Sequence, residues 1–132
     1  MAEADLRPIE GSLLKNIDCD SSVFLGAVVK VNNGVCFNAQ ANNFENSNAI
    51  GVCIKKRSST KCDVLLSGVT PQIYTGLDTS KDYFLSESNA GELVDNLSLP
   101  SATDEVVLRI GRAFTDSQIT VAIGLRMELD NG

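Results

Sequence analysis

The chain has 132 residues, 43% of them apolar and 21% charged, enough length and apolar content for one folded domain with a real core. Its 17 acidic residues outnumber 11 basic ones, and this net charge of −6 argues against a nucleic-acid partner, whose phosphates call for Lys and Arg. No apolar run approaches the roughly 20 residues of a membrane-spanning helix, and the absence of histidine removes the commonest general base, zinc ligand and partner of a Ser or Cys nucleophile.

The opening "MAEADLRPIEGSLLK" carries acids and no apolar core segment, so it reads as neither a secretory signal nor a transit peptide. Pro8 and Gly11 interrupt any helical pattern. Residues 1–20 are expected to form an extended N-terminal arm ahead of a single β domain over residues 21–132. Leu6, Pro8, Ile9, Leu13, Leu14 and Ile17 are the candidate arm contacts with a neighbouring subunit. The competing reading is an ordinary strand entering the sheet.

From Val23 the signal is period two, the signature of a strand with one buried face. "VFLGAVVKV" puts Val23, Leu25, Ala27, Val29 and Val31 together. "NNG" at Asn32 to Gly34 then predicts a hairpin turn, because Asn and Gly accept positive φ. "VCFNAQ" is the return strand. "AIGVCIKK" and "CDVLLSGV" flank the polar "RSST" as a second hairpin. The cluster Lys55, Lys56 and Arg57, with Lys61 nearby, reads as a solvated hairpin tip or a local contact to an acidic partner.

"DYFLS" is a short strand with Tyr83 and Leu85 facing one way and Phe84 the other. Gly91 closes the following turn with a backbone shape that other residues resist. Tyr83 is expected in the core with its hydroxyl at the edge. "EVVLRIGRAF" turns through "TDSQ" into a long final strand, with Ile119, Val121, Ile123, Leu125, Met127 and Leu129 on one face. "IGVC" at Ile50 and "IGRA" at Ile110 form an internal echo, so Gly51 and Gly111 are candidates for equivalent bends or close backbone approaches. The resulting fold class is all-β, a compact antiparallel β-barrel or sandwich built from hairpins with an extended N-terminal arm.

Recognisable chemistry is absent. Cys19, Cys36, Cys53 and Cys62 lack the C-x-x-C spacing of zinc or redox sites. Their even number makes two disulfides conceivable, but reduced thiols are expected in a chain without a secretory signal. Cys36 and Cys53 should behave as small buried apolar residues. Asp18-x-Asp20 lacks the glycine and glutamate of a calcium loop, and Asp104–Glu105 reads as a pair of solvated loop acids. No catalytic, cofactor-binding or metal-binding residue is assigned, and no cofactor or small-molecule substrate is expected.

Several motifs in order carry a resemblance: "G-x-V-V-K" at Gly26, "A-I-G-V" at Ala49, "V-L-L-S-G-V" at Val64, "G-L-x-x-x-x-x-Y-F-L-S-x-x-x-x-G-x-L" at Gly76, then "R-I-G-R-A". Over Val23 to Leu129 the chain resembles small all-β structural modules of tailed bacteriophages, found in capsid decoration (cement) proteins and in tail-fibre or receptor-binding parts. It departs at Ser80, where such modules often carry glycine, and at Ala90-Gly91, where they carry proline-glycine. The resemblance implies a non-enzymatic virion structural protein, made in the host cytoplasm and placed on the outer capsid surface. Its expected partners are the major capsid protein and copies of itself as a homo-oligomer, with no nucleic acid and no membrane. The alternatives are a tail-fibre module recognising a host glycan or protein, and a head–tail joining component.

Overall fold

The protein is described here by a computed structural model, which covers residues 12–129. Leu6, Pro8 and Ile9 lie outside the described residues. Within them the chain is all-β, with no helix. Its strands are β1 (Leu13–Cys19), β2 (Val28–Asn32), β3 (Val35–Asn38), β4 (Ala49–Ser58), β5 (Lys61–Leu65), β6 (Gly68–Val69), β7 (Asp82–Leu85), β8 (Leu93–Asp95), β9 (Val106–Val107), β10 (Arg109–Thr115), β11 (Gln118–Val121) and β12 (Met127–Glu128).

The expected hairpins form. Asn33 and Gly34 both have positive φ, 53° and 82°, as the two-residue turn joining β2 to β3 requires. β4 and β5 pair across the polar tip, and β10 and β11 across Thr115–Gln118. Tyr83 and Leu85 are buried while Phe84 is half-buried, and Gly91 takes φ 82° in the turn before β8.

Strands β1 to β5 close into a barrel of order β1-β3-β2-β4-β5. Directions around a closed ring can alternate throughout only if the number of strands is even, so a five-stranded barrel needs one parallel pair. Here it is β1 with β3, Asp18 opposite Val35 and Cys19 opposite Cys36. The purely antiparallel expectation is corrected at that seam. The arm boundary also moves, because Leu13–Cys19 is a barrel strand paired on both edges, with β3 and with β5. Two further expectations change. Val23 to Ala27 is turn rather than strand, with Gly26 at φ 90°. The expected continuous final strand breaks after Val121 and resumes only as β12, which pairs with β9; on its apolar face Ile123 packs against the core while Leu125 and Met127 stand exposed.

The remaining strands reveal what the Ile-Gly echo marks. A second sheet has the order β6-β11-β10-β7-β8. Reading the barrel from β3 gives β3-β2-β4-β5-β1, the same path with β8, β7, β10, β11 and β6 in the corresponding places. The registers agree in detail. Val28 faces Val52 and Val29 faces Gly51, while Asp82 faces Arg112 and Tyr83 faces Gly111. In both ladders the next pair skips one residue, Ile50 in β4 and Ile110 in β10, giving the same bulge. The turns leading in also agree, with Ala27 N–H donating to Phe24 O at 3.0 Å and Lys81 N–H to Asp78 O at 3.0 Å. A Cβ on Gly51 would lie 2.3 Å from the Leu65 carbonyl oxygen, and one on Gly111 would lie 1.8 Å from that of Thr120. The chain is therefore a structural duplication of residues 13–65 and 68–121, kept in register by two equivalent glycines.

The halves share one apolar core. Val28, Ala41, Val52 and Leu65 from the first pack with Leu85, Leu108, Ile110, Ile119 and Val121 from the second. A separate cluster inside the barrel contains all four cysteines with Val23, Ala27, Val29 and Val64.

Candidate functional site

The duplication also shows where the halves differ. In the first, β1 runs from β5 across to β3 and seals the barrel, and the Asp20 N–H continues the closure by donating to Cys36 O at 2.8 Å. In the second, β6 has only Gly68 and Val69. The chain beyond it follows the β10–β11 turn, with Ile73 and Tyr74 N–H donating to Ser117 O and Leu77 N–H to Asp116 O. It does not reach β8. The seam stays open as a cleft of about 500 Å³, walled by Tyr74–Leu77 on one side and Glu92–Asp95 on the other, with Phe24 and Leu25 at the rim.

The edge facing this cleft has main-chain groups to offer. In an antiparallel ladder, hydrogen-bonded and non-hydrogen-bonded pairs alternate. Ser86 N–H donates to Glu92 O, so the next pair, Leu85 with Leu93, is non-bonded and Leu93 turns its N–H and C=O outward. By the same alternation Asp95 points outward, and its carbonyl accepts from Ser98 N–H at 3.1 Å. Among the described residues nothing takes the Leu93 groups.

The side chains around the cleft are already engaged. Tyr74 donates its hydroxyl to Gly26 O at 2.8 Å, and burial pushes its phenol well above the usual tyrosine range. The Tyr83 hydroxyl accepts from Asp78 N–H at 2.9 Å, so this ring packs in the core with its oxygen at the edge, as expected. The Asp95 carboxyl is held low by the Leu97 N–H and by Lys81, whose ammonium lies 3.1 Å away. The cleft is thus a shaped surface lined by aromatic, aliphatic and acidic side chains.

The other candidate residues resolve into structure. All four cysteines are free and buried. Burial, the largest cause, pushes the Cys36, Cys53 and Cys62 thiols up, which keeps them protonated and unreactive. Three of the four basic-cluster side chains are engaged internally, while Lys55 is exposed. Arg57 makes a two-pronged bond to Asp63 at 2.7 and 2.9 Å, Lys56 Nζ donates to Val23 O at 2.8 Å, and Lys61 pairs with Asp18. The Asp20 carboxylate accepts from the Ser22 hydroxyl, and the Glu105 carboxylate caps Ser101 and Ala102. No group of three or more metal-ligating side chains comes together among the described residues.

Of the arm candidates, Leu13 and Leu14 keep their side chains substantially exposed on β1, while Ile17 packs against the cysteine cluster. The exposed apolar set is larger than sequence reading anticipated: Leu125 at 91%, Leu97 at 77%, Met127 at 65% and Phe114 at 59%. The alternation puts Leu125 and Met127 on the face expected to be buried, and the structure leaves both exposed. The open seam itself left no signal in the sequence, because it is a missing closure.

Comparison with known proteins adds no family. No family model matches the chain, and neither does any curated protein or solved structure.

Proposed function

We propose that this protein is a non-enzymatic structural component of a bacteriophage virion, a decoration protein that sits on the outer capsid surface and bridges coat subunits. The reading rests on the motif order running from Gly26 to Ala113. The structural observation that carries it is a rigid β frame with large apolar side chains left in water at Leu97, Phe114, Leu125 and Met127. These exposed side chains would supply apolar contacts to a coat subunit. An interface of standard size, roughly 1,200–2,000 Å² in total, would cover them. The net charge of −6 suits an outward position away from packaged DNA.

One observation favours a second reading, a recognition module for a host-surface glycan or protein. The seam cleft has an aromatic wall at Tyr74 and a rim at Phe24, where a sugar ring could lie. The experiment is a comparison of purified protein mixed with undecorated capsids and with host cells. Decoration predicts saturable binding to capsids and a higher force or temperature for capsid rupture. Binding to cells alone would replace the first reading with the second.

A further inference from the structure

The open seam and the exposed tail of the second half are complementary. We propose that the cleft beside β8 receives residues 122–127 of a second copy of this chain, added as the strand that the second half lacks. The inference does not depend on the capsid reading. The first half supplies the template, because β1 fills the equivalent seam by running alongside β3 with its main chain paired on both edges.

Three observations select this segment. First, "AIGLRM" keeps the alternation of a strand with one buried face, yet Leu125 and Met127 stand in solvent. Second, its main chain has a free side. Ala122 N–H donates to Ile110 O and Gly124 N–H to Arg109 O, both on its own β10, while among the described residues nothing takes the N–H groups of Ile123 and Leu125. These groups match the outward N–H and C=O of Leu93 in the way one strand edge matches another. Third, the charges complement. Glu92 lines the cleft beside Asp95, which Lys81 already pairs, and Arg126, which donates to Phe44 O and lies 3.6 Å from the Phe44 ring centre, is the one charged residue in the segment. Because donor segment and acceptor cleft are different surfaces, the contact is head-to-tail, and it makes a ring where the rotation closes.

The test uses full-length protein and sedimentation analysis across a range of concentrations, with no capsid present. Leu125→Asp spoils the donor at a fully exposed site. Thr75→Arg fills the cleft from an exposed wall. Parent protein is expected to sediment as an oligomer and each variant alone as a folded monomer, with a melting temperature close to that of parent diluted to monomer. Mixing Leu125→Asp with Thr75→Arg should restore one intact contact and give a dimer of the two variants. A parent that stays monomeric at high micromolar concentration overturns the proposal. Variants that still assemble, or a mixture that stays monomeric while the parent assembles, overturn it equally, since self-association would then use another surface.

Discussion

Gly111→Ala tests the duplicated frame most directly. The added methyl would sit 1.8 Å from the Thr120 carbonyl oxygen and 2.9 Å from its carbon, both main-chain atoms that cannot rotate away. Relief requires β10 and β11 to separate by more than about 1 Å, which combines an overpacking penalty of roughly 1–3 kcal/mol with ladder hydrogen bonds worth about 1 kcal/mol each. The expected loss is therefore about 3–5 kcal/mol, a large share of the roughly 5–15 kcal/mol that holds a domain together. In thermal melting this corresponds to a drop of about 10 °C or more. Gly51→Ala, at 2.3 Å from the Leu65 carbonyl oxygen and 2.8 Å from Val64 Cγ1, should behave alike if the halves are equivalent. Gly124→Ala is the internal control, since its nearest neighbours lie at 3.8 Å. It should be neutral, or more stable by about 0.4–1 kcal/mol through the unfolded chain. The assay is urea and thermal unfolding followed by far-ultraviolet circular dichroism. A Gly111→Ala midpoint within about 2 °C of the parent would refute the close approach and the register built on it.

Other outcomes follow from burial and charge. Ile119→Ala, in the shared core, should cost about 2–5 kcal/mol, whereas Leu125→Ala at 91% exposure should change monomer stability by less than about 0.5 kcal/mol, as urea midpoints would show. Arg57→Ala should lower the urea midpoint, because it leaves the Asp63 carboxylate, 6% exposed, without its two-pronged partner. The Arg57 hydrogen bond holds the Asp63 carboxyl below its unfolded value. Its contribution is thus present in full above about pH 4 and is lost as pH falls through the lower folded value, so acid titration should show a shallower stability loss in Arg57→Ala than in the parent. The four buried thiols should resist alkylation in native protein at pH 8.5 and react fully in denaturant, as counted by mass spectrometry. Fast labelling of any one in native protein would show that the barrel core is open.

Local order is legible in the sequence. Alternation at Val28–Val31, Tyr83–Leu85 and Ile119–Val121 reports which side chains share a face. Asn33-Gly34 and Gly91 report where positive φ is needed. Each signal lies within a few residues, because strand period and turn conformation are set by local sterics. The repeated Ile-Gly at Ile50 and Ile110 was visible too, but only as an echo.

Which edge meets which was not readable. Whether Leu13–Cys19 becomes an arm or a barrel strand depends on the competition for the open edges of β3 and β5, a contact made across long stretches of chain. The five-strand closure decides it, and it forces the parallel pair. The same alternation that buries Ile119 leaves Leu125 in water, because a pattern specifies a face but not the surface that covers it. Local pattern thus places most strand cores, the hairpin turns and the glycines that permit close approach. The convergence of four distant cysteines in one barrel, the equivalence of the two halves and the open seam in the second emerge only on folding, because each depends on long-range pairing that no local pattern records.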